Sequence, residues 1–356
     1  MRLVLLGDGE SPHLLKWARA LAPRLELWAA SSRGFDAGFD TLVPPARRLA
    51  LGTTPRVEGG NAALLRHLPR LAQWLRAVRA DWIHAHYLSS HGTLAWLATA
   101  WLGAPGRVVG SAWGSDILVA PQRSVLMRAV TRRVLRHCTL TTSDSQVMAQ
   151  RMHALGAREV MVFPFGLEAM PPEPGTRQPG LFFANRALEP LYRPERVLEA
   201  FAAVARAWPE AQLVVAHDGS RRAALQAQAA ALGLADRVRF VGRLAAQEQS
   251  RWYRAATWYL SLPGSDSVAV SVLEAMAHGC VPLLSDLPAN RELVRDGENG
   301  LIVGDELERL PARLDALAPR AAAIAAANRA WVQAHALFPA AVDRFLARLR
   351  ELQGGA

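Results

Sequence analysis

Cysteine, lysine and long apolar runs are scarce in this sequence of 356 residues. Its two cysteines, Cys138 and Cys280, lie far apart, so a disulfide framework is not expected and a reducing cytoplasm is the simpler location. The first residues, MRLVLLGDGE, contain too short an apolar run for a signal peptide. The most apolar stretch, GTLAWLATAWLGAPG, falls short of the ~20 residues that a membrane-spanning helix needs. We therefore expect a cytoplasmic protein that does not span a membrane.

Lys16 is the single lysine, so arginine carries almost all of the basic charge behind the formal net charge of +10. A basic surface favours phosphates, anionic lipid headgroups or nucleic acid. The sequence lacks interleaved aromatic and basic residues, zinc-ligand spacings and a disordered basic tail, which are features of nucleic-acid-binding chains. We therefore expect no nucleic-acid partner.

Short apolar or β-branched runs alternate with helical patterns along the chain. In the first half, strands are predicted at residues 2–7, 25–30, 82–87, 107–113, 140–144 and 159–166. The stretch LEAMPPEPGTRQPG, residues 167–180, is rich in proline and glycine and is predicted to be a linker. After it, strands are predicted at residues 180–186, 212–219, 237–242, 258–264, 281–286 and 300–303.

Strand and helix alternation of this period implies right-handed crossovers and parallel sheets that are covered on both faces. The sequence therefore predicts an α/β protein with two Rossmann-like, doubly wound domains that face each other across a cleft. Sheets of this kind bind ligands at the carboxyl ends of their strands.

The segment SDSVAVSVLEAMAHG, residues 265–279, is an apolar helical pattern with two carboxylates eight residues apart, Asp266 and Glu274. On one helix they would lie ~12 Å apart along the axis, too far for the ~5 Å carboxylate pair of a retaining glycosidase. We instead expect the helix to begin after Asp266, with Ser267 as its N-cap, and to end at Gly279. The free amides at its start would form an anion site, and they belong to Ser267, Val268, Ala269 and Val270. A sugar nucleotide, with an anionic middle and hydroxyls at both ends, fits this arrangement.

The longer segment SDSVAVSVLEAMAHGCVPLLSDLPANRELVRDGENGLIV resembles the signature region of the family-four retaining glycosyltransferases of GT-B fold. Two other stretches, residues 214–244 and 184–201, resemble the regions that precede this signature in the family. The resemblance covers essentially the whole second domain and, more loosely, the first. It implies an N-terminal acceptor domain of residues 1–168, a nucleotide-sugar donor domain of residues 169–330, and terminal helices within residues 331–356 that cross back onto the first domain.

The resemblance also implies roles for two carboxylates and two arginines. Glu274 would hydrogen-bond the ribose hydroxyls of the donor, and Asp266, where the family more often has Glu, would contact the transferred sugar. Arg186 would neutralise the diphosphate leaving group, and Arg193 is the candidate for the lysine that usually assists it. Two guanidinium groups would stabilise the departing diphosphate without a metal ion or another cofactor. The sequence has no Asp-x-Asp metal signature.

Five further residues are candidates on the same resemblance. Gly9 lies in GDGESPH, which resembles a glycine-rich loop near the donor phosphates. Gly242 and Arg243 follow a predicted strand and resemble the region near the nucleotide base. In SAWGSDI, residues 111–117, Trp113 occupies the place of a histidine that many members have, where its ring would offer a stacking face. Asp116 would contact the sugar or the acceptor, or else serve as a turn residue.

Two other clusters have competing interpretations. Histidines near the third predicted strand are interpreted as packing or acceptor-cleft residues rather than as a metal site; they are His84, His86 and His91. A predicted helix within residues 123–137 presents a basic face, which is either solvated or in peripheral contact with the anionic inner face of a membrane. That face consists of Arg128, Arg132 and Arg136.

The sequence thus predicts a retaining, metal-independent glycosyltransferase of the kind that builds cell-envelope polysaccharide. It would move a hexose or N-acetylhexosamine from a nucleoside-diphosphate sugar to a glycan, lipid-linked or small-molecule acceptor. Two alternatives stay open. Trp113 and the missing lysine favour a sugar-nucleotide-binding protein that does not transfer sugar. A sugar-nucleotide epimerase of similar fold would instead release an epimerised sugar without an acceptor.

Overall fold

The computed structural model describes residues 1–53, 62–173 and 175–355. The chain forms two compact units. The N-terminal unit contains Met1–Phe163 and Pro339–Ala356, and the C-terminal unit contains Pro164–Phe338. Each unit is built on one sheet of parallel strands flanked by helices, which confirms the prediction of an α/β protein with two doubly wound domains.

The N-terminal unit has a seven-stranded sheet. Its strands are β1 (Arg2–Gly9), β2 (Glu26–Phe35), β3 (Arg48–Ala50), β4 (Trp82–His86), β5 (Arg107–Ser111), β6 (Leu140–Ser143) and β7 (Val160–Val162). They lie in the order β3-β2-β1-β4-β5-β6-β7. Six of them coincide with predicted strands. The sequence analysis missed β3, because three residues with one buried side chain carry no readable period.

Seven α-helices of this unit precede the last strand. They are α1 (Pro12–Leu21), α2 (Leu68–Val78), α3 (Thr93–Ala100), α4 (Ser115–Leu118), α5 (Ala120–Arg123), α6 (Val125–His137) and α7 (Gln146–Ala154). A 3₁₀ segment, Ala62–His67, leads directly into α2. Pro69 lies in the first turn of α2, where its missing N–H costs no hydrogen bond.

The C-terminal unit has a six-stranded sheet. Its strands are β8 (Gln178–Ala184), β9 (Gln212–Ala216), β10 (Val238–Gly242), β11 (Ala256–Ser261), β12 (Val281–Ser285) and β13 (Leu301–Val303). They lie in the order β10-β9-β8-β11-β12-β13, and all six coincide with predicted strands. The helices are α8 (Pro194–Ala207), α9 (Arg222–Ala231), α10 (Ala246–Ala255), α11 (Val270–Ala277), α12 (Asn290–Leu293), α13 (Leu310–Leu317) and α14 (Ala321–His335).

The stretch predicted to be a linker is partly structured. Its first residue, Leu167, pairs with Leu337 and is buried in the core of the C-terminal unit. Its last three residues belong to β8, which begins at Gln178. Pro174, in the middle of the stretch, lies outside the described residues.

The last helix, α15 (Phe338–Gly354), packs almost entirely within the N-terminal unit. The Phe345 ring is fully buried and lies 5.1 Å from the ring of Trp17 and 5.0 Å from that of His84. Arg348 holds both carboxylate oxygens of Glu159, at 2.6 and 2.9 Å. Apolar burial and a bidentate ion pair therefore fix the end of the chain on this unit.

Across the described part of the chain, no helix combines the length and the apolar character that crossing a bilayer requires. The two cysteines lie in different units, and both are buried.

Replacing Phe345 tests the packing of α15. Phe345→Ala is expected to lower the free energy of unfolding by about 3–5 kcal/mol, because it empties a buried space against Trp17 and His84. Arg344→Ala, at the exposed neighbouring position, is the control and should change that free energy by at most about 0.5 kcal/mol. Urea denaturation followed by tryptophan fluorescence measures both. Equal, small changes in the two variants would contradict this packing.

Candidate functional site

In each sheet, successive strands are added first on one side and then on the other, so the strand order reverses at one point. In the C-terminal unit this place lies between β8 and β11, because β9 and β10 follow on one side and β12 and β13 on the other. In the N-terminal unit it lies between β1 and β4. Ligands of doubly wound sheets bind outside the carboxyl ends of the strands at such points. Most of the candidate residues follow one of these four strands.

Arg186 follows β8 and forms an ion pair with Asp266, which lies in the loop between β11 and α11. The distance from Arg186 Nη2 to Asp266 Oδ2 is 2.7 Å. Arg186 Nη1 also donates a hydrogen bond to Ser271 Oγ at 3.2 Å. The guanidinium carbon lies 4.4 Å from the centre of the Tyr192 ring. Contacts on three sides thus hold the guanidinium at the start of α11.

Burial and charge act in opposite directions on this pair. Burial raises the pKa of Asp266, and the neighbouring Arg186 offsets only part of the increase. Burial also disfavours the charge of Arg186, but Asp266, Tyr192 and Tyr259 together outweigh it, so the pKa of Arg186 is raised. The site therefore holds a permanent cation whose balancing anion is costly to keep ionised.

Glu274 lies on α11 and faces α10. Its Oε2 accepts hydrogen bonds from the Tyr253 hydroxyl at 3.1 Å and from Gln249 Nε2 at 3.3 Å. Gln249 and Tyr253 are one turn apart on α10, so they present their polar groups on the same face. His278, at the end of α11, stacks on Tyr253 with ring centres 5.0 Å apart. The Glu274 carboxylate is thus held in a fixed orientation.

The start of α11 differs from the prediction. The helix begins at Val270, and its N-cap is Ala269 in an extended conformation, so the prediction that Ser267 caps the helix is wrong. The Ser267 amide donates instead to Asp266 Oδ1 at 3.0 Å, and the side chains of Val268 and Ala269 are buried in the core. The prediction that Gly279 ends the helix is confirmed, because it follows the last turn with φ of 88°.

Because α11 begins later than predicted, the backbone amides that have no acceptor within the helix also lie later in the sequence. The amides of Val272 and Leu273 bond to the Ala269 carbonyl. The amides of Val270 and Ser271 are the two without an acceptor in the preceding turn. An anion beside them would also be near Arg186, because its guanidinium bonds the Ser271 side chain.

Arg193 lies at the edge of the same site. It is the residue before α8 and has a left-handed backbone, with φ of 46°. A Cβ on Gly264 would lie 2.9 Å from Arg193 Cδ, so the stem of this arginine crosses the loop that leads to Asp266. The side chain is exposed. Arg186 and Arg193 therefore border the same loop, one fixed and one at the surface.

Gly242 ends β10 and Arg243 follows it, two strands from β8 in the same sheet. Gly242 has φ of 73°, and its carbonyl accepts a hydrogen bond from the His217 amide at 2.6 Å. Arg243 is exposed. The two residues lie at the carboxyl edge of the sheet, on the side away from Asp266.

Gly9 ends β1 in the N-terminal unit. Its amide donates to Ser31 Oγ at 2.8 Å. A Cβ at this position would lie 2.5 Å from the Gly34 carbonyl oxygen. The absence of a side chain therefore allows β1 and β2 to approach each other, and the amide that we expected near the donor phosphates is bonded within the unit.

Asp116 is 1% exposed. Its carboxylate accepts hydrogen bonds from the amides of Trp113 at 2.9 Å and Leu88 at 2.8 Å. Burial raises the pKa of Asp116 to about 6, although these hydrogen bonds oppose the increase. The structure thus places Asp116 inside the fold, where it holds two loops together; its contact with a sugar or an acceptor stays a prediction.

Trp113 is surrounded by other rings. Its centre lies 4.4 Å from that of His13 and 5.9 Å from that of Tyr87, with which it is stacked. Its indole N–H donates to His86 Nδ1 at 3.2 Å, which requires that nitrogen to be unprotonated. The ring that we expected to offer a stacking face therefore packs against neighbouring side chains.

The three histidines predicted to be packing residues are buried. His84 Nε2 lies 2.7 Å from Ser111 Oγ, and His91 Nδ1 donates to the His86 carbonyl at 2.8 Å. Within the ranges that the structure describes, no group of three or more histidine, cysteine or acidic side chains is arranged to hold a metal ion.

The sequence analysis missed the polar residues that support the site. Asn185, Gln249, Tyr253 and Tyr259 were not among its candidates. Asn185 directly precedes Arg186 at the end of β8, and two of the four tyrosines of the chain lie in this unit beside it. Polar groups in otherwise apolar, buried segments were the available signal.

Two family models match the chain. Glycosyl transferases group 1 matches residues 171–317, and Glycosyl transferase 4-like matches residues 2–145. The two matches fall on the C-terminal and the N-terminal sheet respectively.

Individual relatives are similar along most of the chain. D-inositol 3-phosphate glycosyltransferase of Streptomyces scabiei is 26% identical over 341 residues, which cover 83% of this chain and 76% of that protein. Phosphatidyl-myo-inositol mannosyltransferase of Mycobacterium leprae is 27% identical, with coverage of 83% and 79%. The crystal structure of Anabaena HepE in complex with UDP-glucose has a TM-score of 0.76, 18% identity and full coverage of both chains.

Acid should destabilise the N-terminal unit through its buried histidines. Burial lowers the pKa of His84 to about 3 and that of His91 to about 4, from 6.5. Above pH 6.5 these histidines are neutral in the folded and unfolded states, so their burial releases no proton. As the pH falls from 6.5 toward 4, each one lowers the free energy of unfolding by about 1.4 kcal/mol per pH unit. Asp116 acts oppositely, because its raised pKa favours the folded state below pH 6.

Urea denaturation between pH 7 and pH 5 measures this loss. His84→Gln removes one buried histidine, so the free energy of unfolding should fall less steeply as the pH is lowered, by about 1.4 kcal/mol per pH unit. An identical dependence in the variant and the wild type would show that His84 is not held neutral in the folded protein.

Proposed function

Because the chain belongs to the group 1 glycosyltransferases and has the GT-B fold, we propose that it transfers a hexose or N-acetylhexosamine from a nucleoside-diphosphate sugar. The transfer retains the anomeric configuration and requires no metal ion. The observation that carries this proposal is the Arg186–Asp266 ion pair at the start of α11, with Glu274 on the same helix.

The C-terminal unit would bind the donor along α11. The diphosphate would take the place beside Arg186 and the first amides of the helix, with Arg193 approaching from the exposed side. Glu274 would bond the ribose hydroxyls, and Asp266 would turn to the hydroxyls of the transferred sugar. From Val270 to Glu274 the helix rises by about 6 Å, a span that suits a ribose and its adjoining phosphate.

Arg186 explains why this site selects a diphosphate. Its charge is paired with Asp266, whose ionised form burial disfavours. An incoming diphosphate supplies a stronger and less costly negative partner, so Asp266 is released toward the sugar. Charge compensation at Arg186 is thus maintained before and after binding.

The chemical step would proceed on one face of the sugar. The bond between the anomeric carbon and the diphosphate oxygen breaks, and the electron pair leaves with the nucleoside diphosphate. The acceptor oxygen forms its bond to the anomeric carbon on the same face, and its proton passes to the departing phosphate. The two guanidinium groups stabilise the negative charge that develops on the leaving group.

The N-terminal unit would bind the acceptor. The names of the relatives, which specify inositol phosphate and phosphatidyl-inositol, support a polyol or a lipid-linked acceptor over a protein. A glycan or another small molecule with hydroxyl groups fits the same chemistry.

Donor binding tests the proposal directly. A panel of UDP-, GDP- and ADP-sugars should raise the melting temperature for one nucleotide family. Glu274→Ala should weaken that binding tenfold to a hundredfold, because it removes hydrogen bonds to a charged group worth about 1.5–3 kcal/mol. Glu308→Ala, at an exposed position of the same unit, is the control and should leave the affinity unchanged.

Turnover then separates the candidate functions. Sugar transfer to added polyol or glycolipid acceptors, with an unchanged anomeric configuration, supports a retaining transferase. Tight donor binding without product would favour the binding protein that Trp113 in the usual histidine position suggests. An epimerised sugar formed without an acceptor would favour the epimerase. Binding of no nucleotide sugar would contradict all three.

We also propose that α6 makes peripheral contact with an anionic membrane surface, where a lipid-linked acceptor is presented. Two apolar side chains at the start of this helix, Val125 and Leu126, are 87% and 71% exposed. A groove along the helix is lined by arginines that follow them, Arg128, Arg132, Arg133 and Arg136. Exposed apolar groups next to a basic face suit a lipid surface better than nucleic acid, which has no apolar layer to receive them.

Vesicle sedimentation tests this contact. The protein should bind vesicles that contain anionic phospholipid and should release them at high salt, because screening weakens the attraction. Arg128→Ala with Arg132→Ala should weaken binding about thirtyfold, from about 1 kcal/mol per arginine. Arg206→Ala with Arg295→Ala, at exposed positions of the C-terminal unit, is the control. Equal binding by both double variants would place the contact elsewhere.

A further inference from the structure

Arg186 and Glu274 are linked by hydrogen-bonded side chains inside the C-terminal unit. At one end, Arg186 Nη1 donates to Ser271 Oγ at 3.2 Å. The phenol of Tyr259 lies near enough to this guanidinium to interact with its charge. The Tyr259 hydroxyl donates to Asn185 Oδ1 at 2.6 Å. The amide at the end of β8 is thus bonded to a phenol beside the guanidinium.

The series continues from Asn185 to the carboxylate. Asn185 Nδ2 donates to the Tyr253 oxygen at 2.7 Å. The Tyr253 hydroxyl lies 3.1 Å from Glu274 Oε2 and 3.2 Å from the Ser271 carbonyl. We call the hydrogen bonds from Tyr259 through Asn185 and Tyr253 to Glu274 the polar relay. Ser271 ties it to Arg186, because its carbonyl accepts from Tyr253 and its side chain accepts from the guanidinium.

The direction of the polar relay is fixed at its glutamate end, because an ionised carboxylate can only accept hydrogen bonds. The Tyr253 hydroxyl therefore donates to Glu274 and accepts from Asn185 Nδ2. The Asn185 oxygen accepts in turn from Tyr259. Tyr253 and Tyr259 are buried, and burial raises the pKa of both phenols, so they keep the protons that the relay requires. Aligned hydrogen bonds in a buried region strengthen one another.

We infer that Asn185, Tyr253 and Tyr259 are positioning residues that couple the diphosphate site at Arg186 to the ribose site at Glu274. This inference rests on the proposed function, since it takes Glu274 as the group that bonds the ribose. None of the three is required to touch the ligand. Tyr253 orients the carboxylate, and Asn185 sets the direction in which the Tyr253 hydroxyl points.

Two substitutions disturb the polar relay while they preserve side-chain volume. Tyr253→Phe removes the donor to Glu274. Asn185→Asp removes the donor to Tyr253 and offers it an acceptor, so the Tyr253 hydroxyl turns away from Glu274. Both variants leave the Glu274 side chain in place but release its orientation. The affinity for ribose hydroxyls should therefore fall, whereas other parts of the nucleotide should bind as before.

The experiment compares a nucleoside diphosphate with its 2′,3′-dideoxy analogue. Wild-type protein is first titrated with UDP, GDP and ADP by calorimetry, and the tightest of the three is paired with its dideoxy form. In the wild type the ribose hydroxyls should strengthen binding. Tyr253→Phe and Asn185→Asp should reduce that advantage about tenfold, which corresponds to one hydrogen bond to a charged group. Gln226→Glu, at an exposed position of α9, adds the same negative charge as Asn185→Asp and is the matched control.

The ratio of the two affinities distinguishes the outcomes. A reduced ratio in both variants, with the control unchanged, supports the polar relay. Equal weakening of both nucleotides would show a general structural defect and overturn the inference, as would an unchanged ratio. Failure of the wild type to bind any of the three nucleotides would overturn the proposed function itself, and the inference with it.

Discussion

The buried charge of Arg186 is the constraint on which the C-terminal site depends. A guanidinium next to the carboxyl end of a central strand cannot lose its proton, so the surrounding residues must compensate it permanently. Asp266 does so through an ion pair at 2.7 Å, and Ser271 and Tyr192 fix its position. The loop after β11 and the start of α11 are thereby held against the end of β8. The geometry of the site follows from this single cation.

Two carboxylates eight residues apart have a common explanation in this arrangement. Asp266 precedes α11 and pairs with Arg186, whereas Glu274 lies on the helix and is held by α10. They do not act on one atom, so their separation need not match that of an acid–base pair. In the proposed function, each borders a different end of an elongated donor. The helix start between them would offer amide hydrogens to the diphosphate.

Sequence patterns predicted the sheets far better than the contacts of the site. Twelve of the thirteen strands coincide with apolar runs, because burial on both faces leaves a local signature. The exact start of α11 did not follow from the sequence, since Ser267 is a good capping residue and only tertiary contacts decide that Asp266 binds its amide. Asn185, Tyr253 and Tyr259 come from three separate elements, and no local pattern reports that they meet. Nothing in the sequence indicated that the Asp116 carboxylate is buried and bonded by two backbone amides, or that the Trp113 ring packs on His13 and Tyr87.

The two units share a topology but differ in the chemistry near the carboxyl ends of their central strands. In the N-terminal unit, the ends of β4 and β5 carry neutral histidines, a tryptophan and a carboxylate bonded by backbone amides. In the C-terminal unit, the region after β8 and β11 contains a fixed cation and the start of an eight-residue helix. An anionic ligand therefore gains more from the second than from the first, since fixed positive groups compensate its charge without reorganisation. A neutral, hydroxyl-bearing partner loses nothing in the first. The same fold, used twice, thus offers a fixed positive group in one unit and neutral or amide-bonded groups in the other.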